Sequence, residues 1–138
     1  MQVNPYLSMP GTAWAAAQFY AEVFGAPRPE PMWMGDVPDE GQEALTEDEA
    51  KLVAHVRVPI GDRELMISDH IEKWMGPHRG FAGFDVQVAC DTPEEAHDLY
   101  AKLADGGTPR MPIGPTFWAR AFGSLTDRFG VHWMVNCD

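Results

Sequence analysis

The sequence predicts an α+β fold of two consecutive βαβββ modules within one domain of residues 1–138, module one over about 1–75 and module two over about 80–138. Three observations carry that expectation. The chain closes on two runs rich in aromatic and β-branched residues, 117–126 and 131–137. They are joined by Asp127-Arg128-Phe129-Gly130, where Asp suits a turn start and Gly tolerates positive φ, so they read as a β-hairpin. Each half opens with a short strand-like run followed by a stretch of helical spacing. The same order begins afresh after the Gly/Pro/His-rich link of residues 74–83, a repeat of structure rather than of letters.

In order, residues 3–9 read as a strand, which Pro5 places near a sheet edge or at a strand start. Thr12 stands where it can cap a helix reaching Phe24; Trp14, Ala17, Ala21 and Phe24 recur at helical spacing, and Gly25 supplies the stop. Pro27, Pro29 and Pro31 exclude a helix next, and residues 32–34 read as a short edge strand. Seven acidic residues and no basic one fall between Asp36 and Glu49. They lack the alternating Asp/Asn spacing and central Gly of a calcium loop, so a solvated, mobile loop is expected. Residues 52–58 follow as a strand with Leu52, Ala54, Val56 and Val58 toward the core and His55 and Arg57 opposite. After the turn Ile60-Gly61-Asp62-Arg63 the chain returns over 64–69, with Leu65 and Ile67 inward and Met66 and Ser68 on the His55 side.

In the second module residues 84–90 form a strand in which Val86, Val88 and Cys90 alternate with Asp85, Gln87 and Ala89. Thr92-Pro93-Glu94-Glu95 is a capping box with Pro at the first helical position, and Ala96, Leu99, Tyr100 and Leu103 give the buried stripe before Gly106-Gly107. In the closing hairpin, alternation puts Trp118, Arg120, Phe122, Ser124, His132, Met134 and Asn136 on one side. Ala119, Ala121, Leu125, Trp133, Val135 and Cys137 fall on the other. The second set wants a core. The first mixes aromatics, a cation, an imidazole and an amide, which is how a ligand pocket is lined.

Composition narrows the function. A formal charge of −11 with no Lys/Arg cluster excludes a phosphate-backbone binder, so no nucleic-acid partner is expected. No apolar run is long enough to cross a bilayer, and residues 1–5 have neither a basic start nor an apolar core of a signal peptide, so no membrane association and a cytoplasmic location are expected. Cys90 and Cys137 lie on expected strands and could pair, but a reducing compartment and the absence of a CxxC spacing favour buried free thiols. There is no G-x-S-x-G elbow, H-E-x-x-H, C-x-x-C or P-loop.

Two histidines, His55 and His132, are the candidate catalytic residues; either suits a general base, and the plainer alternative is that each bonds a pocket neighbour or sits at the rim. Arg57 and Arg120 can grip an anionic group by the guanidinium fork, or be consumed in ion pairs with Asp85 or Glu64. Trp118, Phe122 and Tyr6 offer flat surfaces to a planar ligand, or simply fill the core.

The segments NPYLSM, FYAEVFGA, HVRVPIGDRELMISD and FWARAFGSLTDRFGVHWMVN, in this order and spacing, resemble PhnB-like proteins of the vicinal oxygen chelate superfamily, which includes glyoxalase I, bleomycin-resistance proteins and ring-cleaving dioxygenases. The resemblance implies that each module curls its sheet into a half-open barrel with the helix outside, and that modules pair, often across a homodimer. It also implies a divalent metal held by inward residues of the strands. Set against the usual closing pattern DPxGHxxE, DRFGVHWM puts Met134 where the ligand Glu belongs. The remaining ligand positions fall near Pro5 or Tyr6, near Met66 or Ser68, and near Asp85 or Gln87. A thioether is a poor partner for the metals this chemistry uses. Such proteins also carry names invoking a methyltransferase of a ubiquinone precursor, but no Gly-rich strand-to-helix turn suited to S-adenosylmethionine occurs here.

The expectation is therefore a cofactor-free, metal-free homodimer that binds a small anionic or aromatic organic molecule. Its lining would be Tyr6, Ser8, His55, Arg57, Met66, Ser68, Gln87, Trp118, Arg120, Phe122, Met134 and Asn136. The alternatives are a glyoxalase- or dioxygenase-like enzyme using a non-standard metal set or a histidine base, and an interaction dimer with a vestigial pocket.

Overall fold

Each half of the chain folds as a strand, a helix and three further strands. The structure is a computed structural model describing every residue, Met1–Asp138, and it divides into two units, Met1–Arg79 and Gly80–Asp138. Unit one contains β1 (Tyr6–Met9), α1 (Ala13–Phe24), β2 (Met32–Trp33), β3 (Val53–Ile60) and β4 (Arg63–Asp69), followed by the short α2 (Glu72–Met75). Unit two contains β5 (Val86–Ala89), α3 (Pro93–Ala104), β6 (Thr108–Gly114), β7 (Ala121–Thr126) and β8 (His132–Cys137). The sheet orders are β1-β4-β3-β2 and β5-β8-β7-β6, each with its first strand parallel to its last and the other pairs antiparallel. The repeat is thus one of topology, the fold is α+β, and both sheets are open rather than closed barrels.

The core of unit one lies between α1 and its sheet. Leu7, Met9, Val56, Val58, Leu65 and Ile67 are buried with Ala13, Ala16, Ala17 and Tyr20. Burying a Leu or Ile side chain fully contributes about 1.5–3 kcal/mol. In unit two Ala121, Leu125, Trp133, Val135 and Cys137 are buried with Ala96, Tyr100 and Leu103 of α3. Alternation then turns the neighbouring strand residues away from the helix. Both cysteines are buried and unpaired, and no helix is long and apolar enough to cross a membrane.

Several elements depart from the sequence reading. The stripe of α1 is rotated: the small residues Ala13, Ala16, Ala17 and Ala21 lie inward, while Trp14 and Phe24 are half-buried. Trp14 instead meets Trp33 edge-on at 5.6 Å. The Thr12 side chain makes no cap; Asp69 Oδ1 accepts from the Ala13 N–H at 2.9 Å, and Oδ2 accepts from Val53 N–H at 2.9 Å. Met32 pairs with His55 but Trp33 with Val53, so β3 carries one extra residue there. That bulge breaks the alternation and buries Val53 in place of Leu52 and Ala54.

The first strand begins at Tyr6, not at residue 3, and Val3 is exposed. In the closing hairpin residues 117–120 are not strand. The Thr116 hydroxyl accepts the Ala119 N–H at 3.1 Å and Thr116 N–H bonds the Ala119 carbonyl, a local turn that competes with the ladder. Strand β6 fills the third-strand place that the βαβββ pattern requires, in a stretch where Pro109 and Pro112 mask any strand signal. It is an edge strand, where a missing N–H costs no ladder bond. The acidic segment is solvated as expected but tied down: Trp74 Nε1–H donates to the Glu43 carbonyl at 3.1 Å, Lys73 Nζ bonds the Ala44 carbonyl, and Lys73 pairs with Glu49 at 2.8 Å.

Candidate functional site

In unit one, strand register gathers the expected residues on the face away from α1. Tyr6 lies beside Met66 and Ser8 beside Ser68 across the parallel β1–β4 pair, and Arg57 lies beside Met66 across β3–β4. His55 joins them. Its Nδ1 is 3.1 Å from Tyr6 Oη, and the Arg57 Nε–H donates to its Nε2 at 3.1 Å. Arg57 Nη1 reaches Glu64 Oε2 at 3.4 Å. A continuous polar series, carboxylate to guanidinium to imidazole to phenol, thus ends on a half-exposed tyrosine. Of the two carboxylates weighed for Arg57, Glu64 is the one it meets.

Ser8 faces a second pair of imidazoles, His70 and His78. His70 Nδ1 lies 3.4 Å from Ser8 Oγ, and its Nε2 donates to the Gly76 carbonyl at 2.6 Å. His78 Nε2 donates to the Ser8 carbonyl at 2.7 Å, and the two rings meet edge-on at 5.3 Å. Nothing in the local spacing foretells this, because it depends on where the link after α2 returns. A separate depression of about 480 Å³ is lined by Glu49, Leu52, His70, Ile71, Glu72 and Lys73. It shares no residue with the Tyr6 series. At its edge the hydrogen bond from Lys73, against the opposing cost of desolvation and helped by Thr46, holds the Glu49 carboxyl below its ordinary value.

In unit two, Gln87 lies beside Met134, Ala89 beside Asn136, and Phe122 beside Asn136, so these residues do share a face. His132 is fully engaged. Its Nε2 donates to the Phe81 carbonyl at 3.1 Å and its Nδ1 accepts from the Thr126 hydroxyl at 2.9 Å. Both nitrogens therefore brace the fold. Arg120 is likewise spent on the backbone carbonyls of Asp138 and Asp91. Asp85 pairs with Arg110, a partner the sequence reading did not consider. Asn136 is buried and donates to Asp138 Oδ1 at 2.7 Å. Trp118 stacks edge-on against Phe122 at 5.4 Å and Phe117 at 4.7 Å, an aromatic row whose first two members are exposed. Burial, with Glu95 adding to it, pushes the Cys90 thiol up to about 11, so it is no ready nucleophile.

The residues do not fit a divalent metal. No three His, Cys, Asp or Glu side chains converge to hold one. At the positions where ligands are implied stand a phenol bonded to His55, the thioethers of Met66 and Met134, the Ser68 hydroxyl, and Asp85 already paired with Arg110. Metals of this chemistry want converging imidazoles and carboxylates.

Two βαβββ units, each an open sheet backed by one helix, define the class of fold to which glyoxalases and their relatives belong. The profile of the Glyoxalase/Bleomycin resistance protein/Dioxygenase superfamily matches residues 3–135, and the chain belongs to that superfamily. It is 30% identical to protein YjdN of Escherichia coli K12, over 99% of this chain and 95% of that protein. Protein PA1353 of Pseudomonas aeruginosa is similar in structure, with a TM-score of 0.87 and 38% identity over 100% of this chain and 98% of that one. The PhnB protein of Bacillus cereus shares the fold at a TM-score of 0.71 and 24% identity, with both chains covered completely.

Proposed function

We propose that the protein binds a small anionic or aromatic organic molecule, as a PhnB-like member of its superfamily that uses no metal or other cofactor. One observation carries the reading: on the face of β1, β4 and β3 that turns away from α1, the Glu64, Arg57, His55 and Tyr6 side chains are ordered by one another yet remain open to solvent. Such pre-ordering lowers the cost of binding. Ser8, Met66 and Ser68 extend that face in unit one. Gln87, Trp118, Phe122, Met134 and Asn136 line its counterpart in unit two, where Arg120 braces the backbone beside them. The active species is a cytoplasmic homodimer of the whole 138-residue chain, since open sheets leave edges that a second copy covers.

The test is a melting-temperature screen of small carboxylates, phosphonates and aromatic compounds, with light scattering and metal analysis of protein purified without chelator. A saturable rise with at least one compound, a dimer mass and substoichiometric metal are expected. A monomer of 15.3 kDa at micromolar protein overturns the dimer. One equivalent of tightly held metal, lost when His55 and His132 are both replaced by Ala, overturns the metal-free reading and moves the metalloenzyme to first place. A second reading, proton transfer by His55, is favoured by its Nδ1 contact with a solvent-facing phenol.

A further inference from the structure

In the series on the unit-one sheet face, chemistry fixes the direction of the hydrogen bonds. The Arg57 Nε–H can only donate, and it meets His55 Nε2 at 3.1 Å, so Nε2 is the accepting nitrogen. A proton on Nε2 would set two donors against each other. The ring proton therefore sits on Nδ1, and Nδ1–H donates to Tyr6 Oη at 3.1 Å. Tyr6 receives this bond and does not return it. Its own O–H has no acceptor within the chain, and the side chain is 50% exposed. Arg57 is committed at Nε and Nη1 only, and its pair with Glu64 is long, at 3.4 Å, with the two side chains 60% and 40% exposed. A pair of that kind is weak, so the guanidinium can exchange Glu64 for a bound anion at little cost.

We propose that the Tyr6 hydroxyl donates to an anionic oxygen of the ligand, a carboxylate or comparable oxyanion. His55 acts as the positioning residue that sets the direction of that hydroxyl, and Arg57 both fixes the His55 tautomer and supplies favourable charge beside it. This rests on the binding reading above and narrows its ligand class from anionic or aromatic to anionic. A phenol that accepts from an imidazole N–H becomes a better donor, because hydrogen bonds in a chain polarise one another. The strongest acceptor for such a donor is a charged oxygen. On a protein of net charge −11, an anion is drawn to this face by local rather than overall charge.

The experiment uses the full chain labelled with ¹⁵N at histidine. Benzoate is titrated against its uncharged counterpart benzamide while the His55 nitrogens are followed by NMR. The free protein is expected to show His55 with its proton on Nδ1. Benzoate should shift the His55 signals saturably and bind at least several-fold more tightly than benzamide. Tyr6→Phe should weaken benzoate on the order of ten-fold with the melting temperature little changed, as loss of a hydrogen bond to a charged group does. Arg57→Lys, which keeps the charge and loses the Nε donor, should let the ring proton populate Nε2. A proton on Nε2 in the wild type, benzamide binding as tightly as benzoate, Tyr6→Phe without effect, or no saturable shift with benzoate, acetate or inorganic phosphate each overturns the proposal. The tautomer and the Tyr6→Phe ratio read this inference alone. A neutral ligand that stabilises the protein while these anions leave His55 unmoved defeats it and leaves the binding reading standing.

Discussion

The indole N–H of Trp133 donates to Oδ2 of Asp127 across 2.8 Å, and both side chains are buried. The other carboxylate oxygen accepts the backbone N–H groups of Phe129 at 2.8 Å and Val131 at 3.0 Å. One buried carboxylate thus joins the hairpin turn to the largest side chain of the unit-two core. Trp133→Ala should cost about 3–5 kcal/mol, as large core truncations do. Trp133→Phe, which keeps most of the apolar surface and removes the indole donor to Asp127 Oδ2, should cost about 1–3 kcal/mol. Met134, half-buried on the opposite sheet face, should lose less than Trp133 on truncation to Ala. Urea melts of the three variants check the order; a larger loss for Met134 would mean that the faces are inverted.

The two long helices start differently, and mutation should show it. The Thr92 hydroxyl accepts the Glu95 N–H at 3.1 Å, and Glu95 Oε2 reaches back to the Asp91 N–H at 2.9 Å, so Thr92→Ala should cost about 1 kcal/mol. Thr12 makes no such bond, and Thr12→Ala should stay within about 0.5 kcal/mol. Asp69→Ala bares two amides at once, each worth about 1–3 kcal/mol when buried without a partner. Equal losses for the two threonines in denaturant melts would contradict this assignment of caps.

What the sequence disclosed follows a physical line. Periodicity reports which residues are apolar at regular spacing, so the topology repeat, the strand 63–69 and the inward set Leu125, Trp133 and Val135 were legible. Bonds between residues far apart in the chain were not. Asp69 looked like the end of a strand, yet it caps a helix 56 positions earlier. Whether His132 is a free base or a brace was open in the sequence, because the Phe81 carbonyl that accepts its Nε2–H lies 51 positions away. The bulge in β3 hid Val53 because one extra residue inverts the alternation on which the reading depends. Of the candidate site, face membership of Tyr6, Arg57, Met66 and Ser68 was readable by parity, whereas the Tyr6–His55–Arg57 contacts depend on rotamers and register.

Glycines of unit two offer a graded test of backbone packing. A Cβ on Gly123 would lie 2.8 Å from Tyr100 Cε2 and 2.9 Å from Ile113 Cα, and one on Gly107 would lie 2.9 Å from Asp127 Cα. At Gly114 nothing lies within 4 Å, and its φ is ordinary. Gly107→Ala and Gly123→Ala should therefore destabilise by about 1–3 kcal/mol. Gly114→Ala should be neutral, or stabilising by about 0.4–1 kcal/mol through the unfolded chain. Thermal melts that rank Gly114→Ala with the other two would show that β6 does not pass so close to β7 and Tyr100.

The acidic segment supplies the pH-dependent prediction. Lys73 bonds the Ala44 carbonyl and pairs with Glu49 at 2.8 Å, with the side chains only 21% and 24% exposed. Thr46 closes the same corner, since its hydroxyl donates to Glu49 Oε1 at 3.1 Å and accepts the Glu49 N–H at 3.2 Å. The hydrogen bond from Lys73 is the main cause that lowers the Glu49 carboxyl in the folded state. A carboxyl whose folded value is depressed contributes stability that is complete above its unfolded value, about 4.3 for a free Glu, and lost as pH falls through the lower folded value. Neutral and mildly acidic solutions should therefore leave the segment tied, and stronger acid should release it. Lys73→Met should release it at neutral pH, leaving Trp74 alone to hold Glu43. Amide hydrogen exchange at Glu49 and Ala50 reads both conditions, since those N–H groups bond Thr46 only while the corner is closed. Wild-type exchange rates in Lys73→Met at pH 7 would show that the segment is held by its own turns and not by α2.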